Sequence, residues 1–284
     1  MSVNARLEQW GTVMVQGRNP GWIRPLNQVA APAARLVCLP HSGGSAASYR
    51  AWSSATPPDV ELLGVQYPGR GDRHTEAPVA TIAEMGAHVA AELLSLGPYA
   101  PGGYVLFGHS LGALVAYETA LVMGEHGRAP AALFVSGSAA PGAARSERLT
   151  DPSGDEELWS SVCALGGIDP AIAGNRQLRE RLLPALRADV RAGGAYPPAP
   201  RRRPLSCPVR CYYSPGDPLT SDADPAAWSA YTTGAFSTRE RPGGHFHLWT
   251  DTDTLVRDIL TALPHRTPHR PVATVPLPAT VPAA

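Results

Sequence analysis

Lysine is absent from this 284-residue sequence, and all 24 of its basic residues are arginine. Without lysine the chain has no amine for a Schiff base, no phosphate-loop lysine and no base for a Ser-Lys hydrolase. The arginines are balanced by 24 acidic residues, so the formal net charge at pH 7 is zero. Overall charge therefore does not indicate nucleic acid or an anionic membrane as a partner, and we expect neither.

Cysteine is scarce, and long apolar runs are absent. Cys38 and Cys163 lie within apolar patterns and are predicted to be buried, small hydrophobic side chains. Cys207 and Cys211 have no second Cys or His pair at metal-binding spacing, so we expect no zinc site. Because no run approaches ~20 apolar residues, we expect neither a signal peptide nor a transmembrane helix, and a cytoplasmic location.

Short apolar segments alternate with longer helical patterns along most of the chain. This alternation predicts an α/β fold, with a mostly parallel central sheet flanked by helices on both faces. The segments predicted as strands are 35–40, 60–67, 104–108, 132–137, 209–214 and 237–242. The segments predicted as helices are 81–97, 112–127, 224–233 and 251–263.

Residues 141–204 interrupt this alternation. They contain two amphipathic helical patterns, 155–167 and 175–196, with no strand between them. Pro184 is predicted to kink the second helix. We favour a cap over the carboxyl ends of the strands, and the alternative is a helical insertion that only completes the core.

The two ends of the chain have a different character from its middle. Residues 1–21 are weakly patterned and are predicted to be a flexible lead-in. Residues 264–284 are rich in proline and unpatterned, which predicts a disordered tail. The part between them, 22–263, is predicted to be one domain that includes the helical insertion.

The stretch "YVLFGHSLGALVAYETA" places Ser110 in a G-x-S-x-G motif between a predicted strand and a predicted helix. A serine at such a sharp turn presents its hydroxyl away from the sheet, as a nucleophile requires. Glycines on either side remove side chains that would collide where strand and helix approach. Because both flanks have the required strand and helix, we predict that Ser110 is a catalytic nucleophile; the alternative is an ordinary strand–helix turn that contains a serine.

A serine nucleophile needs a base and an orienting carboxylate, which follow the serine in the order Asp or Glu, then His, in sheets of this kind. Asp217 follows one predicted strand and His245 follows the last, so both are predicted to be catalytic. Asp222 is the alternative acid and His247 the alternative base, each less favourably placed in its loop. Asp224 is expected to cap the helix after it.

The remaining requirement is a pair of backbone donors for an oxyanion. The N–H of Leu111, at the start of the helix after the nucleophile, is one predicted donor. The loop "LPHSGGSAASY" is rich in Gly and Ser, and the Ser42 N–H is the predicted second donor. His41 is expected to pack within the loop, and His109 to point away from the nucleophile.

Two groups of arginines have open interpretations. Arg70 and Arg73, in "VQYPGRGDRH", either pair with carboxylates in a solvated turn or take part directly in catalysis. The cluster "RRRP" at 201–204 either is a solvated patch or docks an acidic partner.

Seven stretches together resemble the type II thioesterases, stand-alone α/β-hydrolases that accompany polyketide synthases and nonribosomal peptide synthetases. They are "LPHSGGSAASYRAW", "GVQYPGRGDR", "FGHSLGALVAYE", "LGGIDP", "LLPALRADV", "GDPLT" and "GGHFHL", and the resemblance as a whole extends over roughly residues 22–263. The sequence departs from the usual family pattern where Ser42 replaces alanine, where Leu111 replaces methionine, and in the glycine-rich "RAGGAY".

The resemblance implies an α/β-hydrolase fold, a mobile helical lid at the insertion, and a triad of Ser110, Asp217 and His245 with oxyanion donors at Leu111 and Ser42. It implies hydrolysis of acyl groups from the phosphopantetheine arm of an acyl or peptidyl carrier protein, which removes stalled or aberrant chains in polyketide or nonribosomal peptide biosynthesis. No cofactor is expected, the carrier protein is the expected transient partner, and the chain is expected to be a monomer. The alternatives are a small-molecule carboxylesterase with the same triad and a non-catalytic binding module.

Overall fold

The computed structural model describes residues 21–97, 100–143, 154–168, 173–197 and 204–263. The predicted lead-in, apart from Gly21, and the predicted tail lie outside these residues, as does most of the "RRRP" cluster. None of the described helices is long and apolar enough to cross a membrane.

A seven-stranded sheet forms the centre of the described structure, in the order β1-β3-β2-β4-β5-β6-β7. Strand β1 pairs with β3 in the antiparallel direction, and all the other neighbouring strands are parallel. The strands are β1 (Ile23–Pro25), β2 (Ala34–Leu39), β3 (Val60–Val65), β4 (Tyr104–His109), β5 (Ala132–Ser136), β6 (Val209–Tyr213) and β7 (Phe236–Glu240). The predicted mostly parallel α/β sheet is thereby confirmed.

Five α-helices are described with the sheet. They are α1 (Ile82–Ser95), α2 (Leu111–Glu125), α3 (Asp155–Ala164), α4 (Arg176–Gly194) and α5 (Thr252–Leu260). Four shorter 3₁₀ helices occupy Ala46–Ser54, Gly71–Arg73, Pro225–Tyr231 and His247–Trp249. The segment predicted as a helix over 224–233 is therefore a short 3₁₀ helix, and Asp224 caps it by accepting from the Ala226 N–H at 2.8 Å.

Strand β2 shows how the sheet divides the core into two layers, since successive side chains of a strand point to opposite faces. Val37 and Leu39 pack in the cluster that contains α1 and α2. Leu36 and Cys38 pack in the other cluster, with the 3₁₀ helix Ala46–Ser54 and α5. Every residue of β2, β4 and β5 is buried, as is typical of parallel strands covered on both faces.

The insertion supplies α3 and α4, which share a small apolar cluster of their own. Helix α4 runs from Arg176 to Gly194 with Pro184 inside it, so the proline does not end the helix. Asn175 caps its start by accepting from the Leu178 N–H at 3.0 Å. The insertion lies beside the carboxyl ends of the strands, because Asp189 and Val190 of α4 line the same cavity as Ser110.

Candidate active site

Ser110 occupies the junction between β4 and α2 in a conformation that few residues adopt. Its φ is 56° and its ψ is −121°, and it is the one residue other than glycine with positive φ in the described part of the chain. Strained backbone of this kind is typical of a nucleophile held at a sharp strand-to-helix turn. The Ser110 N–H donates to the Ser136 carbonyl at 2.8 Å, which ties the turn to β5.

Two glycines allow this turn to form. A Cβ at Gly108 would lie 2.1 Å from the Gly112 carbonyl oxygen, and a Cβ at Gly112 would lie 2.1 Å from the Leu39 carbonyl oxygen. Both distances fall far below van der Waals contact with backbone that cannot move aside. Any side chain at either position would therefore push α2 away from the sheet.

Asp217 and His245 meet at the carboxyl ends of the strands. The Asp217 Oδ2 lies 2.9 Å from the His245 Nδ1, and both side chains are buried. The Leu219 N–H and the Thr220 hydroxyl also donate to the Asp217 carboxylate, each at 2.9 Å. Burial by itself raises the pKa of Asp217, but the hydrogen bonds and the neighbouring His245 outweigh it and hold that pKa below its usual range.

A cavity of about 110 Å³ opens beside Ser110, and His245 lines it from another side. The Ser110 hydroxyl makes no hydrogen bond with His245 among the described residues, a separation that free hydrolases often show before substrate binds. Ser42 and Leu111 line the same cavity, so both predicted oxyanion donors lie near the serine. The other lining residues are Leu114, Gly137, Ser138, Ala139, Asp189, Val190, Gly193, Gly194, Leu219 and Thr220.

Comparison with known proteins shows the family to which the chain belongs. The family model of the thioesterase domain matches residues 34–263. The chain belongs to the thioesterase family. Its relatives include thioesterase PikA5 of Streptomyces venezuelae, which is 39% identical over 228 residues covering 80% of each chain.

Solved structures of similar shape include type II thioesterases. BorB, from the borrelidin biosynthetic cluster, has a TM-score of 0.78 and 33% identity, covering 87% of this chain and 100% of its own. YbtT, from the yersiniabactin NRPS/PKS biosynthetic pathway, has a TM-score of 0.77 and 29% identity. The match covers 86% of this chain and 99% of YbtT. The predicted resemblance to type II thioesterases, the predicted fold class and the predicted enzyme class, a thioester hydrolase, are thereby confirmed.

Two further histidines of the thioesterase, His109 and His247, form a buried group near His245. The Ser136 hydroxyl lies 3.0 Å from the His109 Nδ1 and 3.4 Å from the His247 Nε2, a link that no local sequence pattern indicates. Burial lowers the pKa of His247 to about 4 and that of His109 well below its usual value. His247 and His109 do not line the cavity beside Ser110, whereas His245 does.

His41 is buried, and its ring packs against residues from outside its own loop. Its ring lies 4.8 Å from that of Phe246, edge to face. Burial, with smaller contributions from His245 and Arg70, lowers its pKa to about 3. The ring is therefore neutral near pH 7.

The two arginines of the turn after β3 are buried, which corrects the expectation that they lie in a solvated turn. Arg70 is 2% exposed and Arg73 is 4% exposed. Arg73 pairs with Glu76 at 2.6 Å, and Arg70 pairs with Asp189 of the insertion. The pairing with carboxylates was predicted, but Asp189 as the partner was not, because it lies 119 residues further along the chain.

The apolar residues of the insertion lie in two places: in the cluster between α3 and α4, and along the wall of the cavity. Leu158, Trp159 and Leu186 pack in the cluster between α3 and α4. Val190 belongs to that cluster and also lines the cavity. The glycine-rich "RAGGAY" contributes Gly193 and Gly194 to the cavity wall, a role that its sequence did not reveal.

Proposed function

We propose that the chain hydrolyses acyl thioesters through a triad of Ser110, His245 and Asp217, releasing the acyl group from the phosphopantetheine arm of a carrier protein. The observation that carries this proposal is the buried hydrogen bond of 2.9 Å between Asp217 and His245 beside the cavity that Ser110 lines. Asp217 accepts from the His245 Nδ1, which leaves Nε2 as the base.

In the first half of the reaction, the Ser110 hydroxyl attacks the thioester carbonyl while His245 Nε2 takes its proton. The N–H groups of Leu111 and Ser42 stabilise the oxyanion that forms. Collapse breaks the C–S bond, and the thiol leaves after protonation by His245. Because a thiol has a pKa of ~8.5, its departure needs little help.

In the second half, His245 takes a proton from a water molecule that attacks the acyl-serine ester. Collapse of the second tetrahedral intermediate returns the proton to Ser110 and releases a free carboxylic acid. These steps need only water and the thioester, so we propose that the enzyme uses neither metal nor cofactor.

The carrier-bound substrate is supported by the relatives. BorB and YbtT are type II thioesterases of biosynthetic pathways, and PikA5 shares 39% identity with this chain. Such pathways retain their intermediates as thioesters on carrier proteins. We infer a transient complex with an acyl or peptidyl carrier protein, formed by a monomeric enzyme in the cytoplasm.

The size of the cavity supports a short acyl group. Its volume is about 110 Å³, and a cavity of about 150 Å³ accommodates benzene. An acyl chain of a few carbon atoms therefore fits beside Ser110 without moving the insertion.

Mass spectrometry of acyl-loaded carrier proteins tests the proposal. The enzyme should remove short acyl groups from the carriers, and Ser110→Ala should abolish the release while the protein remains folded. Brief incubation of the unmodified enzyme should also give an acyl adduct on the peptide that contains Ser110. Faster hydrolysis of simple aryl esters than of acyl carriers would favour a carboxylesterase, and near-normal release by Ser110→Ala would exclude this nucleophile.

A further inference from the structure

Two stretches of sequence that lie far apart meet in a buried ion pair beside the active site. Arg70 follows β3 and Asp189 lies in α4, and their side chains are 1% and 0% exposed. The guanidinium uses two nitrogens on the carboxylate: Nη1 donates to Oδ2, and Nη2 donates to Oδ1 at 3.0 Å. Nε and Nη2 also donate to the Pro68 carbonyl, at 3.2 and 3.1 Å, so Arg70 is fixed by its own loop as well.

The same carboxylate holds the loop that carries Ser42. The Gly43 N–H donates to the Asp189 Oδ2 at 2.8 Å. Gly43 is the third residue of a β-turn, His41–Gly44, that is closed by the Gly44 N–H donating to the His41 carbonyl at 2.9 Å. We call these four residues the oxyanion turn. Leu186, one helical turn before Asp189, also packs against Gly43, 3.3 Å from where a Cβ would lie.

The geometry of the oxyanion turn explains why this hydrogen bond matters. Gly43 has a φ of 74°, as a type II turn requires at its third residue. Types I and II differ mainly by a flip of the central peptide, here the one between Ser42 and Gly43. Donation from the Gly43 N–H to a fixed carboxylate holds this peptide in the type II orientation and anchors the turn, so that the preceding residue, Ser42, stays at the cavity wall.

We propose that Asp189 is a positioning residue for the oxyanion turn: its carboxylate, held by Arg70, anchors the turn at Gly43 and so keeps Ser42, with the N–H assigned as oxyanion donor, in place beside Ser110. The inference rests on the proposed function, because that function assigns the second oxyanion donor to Ser42. It also links the insertion to catalysis. Since Asp189 belongs to α4, movement of this half of α4 away from the sheet would release the oxyanion turn.

Variants can separate positioning from simple stabilisation. Arg70→Met combined with Asp189→Leu replaces the ion pair with apolar side chains, a change that often preserves stability, but it leaves the Gly43 N–H without its acceptor. Asp189→Asn keeps an acceptor for that N–H and leaves Arg70 without its counter-charge. The proposal predicts that the two variants rank in opposite orders for stability and for catalysis. The double variant should have the higher midpoint of unfolding, and Asp189→Asn should have the higher kcat.

The assay is hydrolysis of a short acyl-N-acetylcysteamine thioester, with the folded fraction measured by circular dichroism at the assay temperature. We expect kcat of the double variant to fall by about 10- to 100-fold with little change in KM, since a displaced oxyanion donor acts on the transition state. A kcat within about threefold of the unmodified enzyme would overturn the proposal. A rise in KM with unchanged kcat would also overturn it, because it would mean that the Asp189→Leu substitution only obstructs the cavity.

Further variants keep the test decisive. If the double variant does not fold, Asp189→Ala replaces it: Asp189→Asn should then exceed Asp189→Ala in kcat by about tenfold, and equal values would refute positioning. The matched control is Arg35→Met with Glu61→Leu, which removes a pair at 2.7 Å between β2 and β3 and should leave kcat unchanged. Ser110→Ala keeps the two proposals distinguishable. Its activity tests the proposed function, in which Ser110 is the nucleophile, and does not depend on the role of Asp189.

Discussion

The two helices of the insertion are held in place in different ways. Helix α3 reaches α4 through surface ion pairs: Arg179 with Glu156 at 2.6 Å, and Arg187 with Asp155. The side chains of the first pair are 25% and 79% exposed. The carboxyl half of α4, by contrast, reaches the domain core through Arg70 and Asp189, of which almost nothing is exposed.

Because they differ in burial, ion pairs of similar length are expected to contribute very differently to stability. An exposed pair competes with water and contributes little, whereas breaking a buried pair leaves a charge where water cannot reach it. The carboxyl half of α4 is thus fastened to the catalytic domain, and α3 depends on the apolar cluster that it shares with α4. Opening of the insertion is expected to begin at α3.

The largest effect is expected from breaking the buried pair on one side. Arg70→Met leaves the Asp189 carboxylate buried without its counter-charge, so the free energy of unfolding should fall by about 3–5 kcal/mol. Urea denaturation followed by circular dichroism measures this change. A loss below about 1 kcal/mol would place the Arg70–Asp189 pair in the same class as the exposed pairs and remove the contrast.

Local pattern was enough to predict much of the fold and the site. Strands with apolar runs, such as β4, were located to within one residue, because an uninterrupted apolar run directly indicates a buried strand. Ser110 could be predicted because its neighbouring glycines and its flanking strand and helix are all adjacent in sequence. Asp217 and His245 followed from chain order, and the structure brings them within hydrogen-bonding distance of each other.

Features that depend on distant contacts could not be predicted in the same way. The stretches "QYPGRGDR" and "LLPALRADV" were recognised separately, and nothing in either indicates that Arg70 pairs with Asp189. Strand β1 was missed because three residues, Ile23–Pro25, carry too little pattern, and it forms only by pairing with β3. The segment 224–233 has a helical composition, but it closes as the 3₁₀ helix Pro225–Tyr231 between β6 and β7.

A smaller effect is expected from mild acid, at pH 5.5, which should weaken the catalytic domain and not the insertion. His41 and His247 have pKa values near 3 and 4 in the folded protein, below the ordinary value of 6.5. Below pH 6.5 the unfolded chain therefore binds protons that the folded protein does not, and stability falls as pH decreases from 6.5 towards 4. Each histidine should cost roughly 1.4 kcal/mol for each pH unit in that window.

Urea denaturation at pH 7 and pH 5.5 tests this dependence. His247→Gln should reduce the difference between the two stabilities, and the exposed His74→Gln should not. Residues 141–204 contain no histidine, so amide exchange in α3 should respond less to this pH change than exchange in the sheet. An unchanged pH dependence in His247→Gln would mean that this side chain is not protonated on unfolding.

The smallest effect is expected from the exposed pairs. Arg179→Gln with Arg187→Gln removes both ion pairs between α3 and α4, and the free energy of unfolding should fall by less than about 1 kcal/mol. Amide exchange in α3 should change little, because Leu158 and Trp159 keep their contacts with Leu183 and Leu186.

Leu158→Ala is the matched comparison: it keeps both ion pairs, removes apolar contact, and should accelerate exchange in α3 strongly. If the arginine variant accelerates amide exchange in α3 more than Leu158→Ala does, the surface ion pairs rather than the apolar cluster hold α3 in place. The exposed pairs and the buried pair of Arg70 and Asp189 would then differ only in degree.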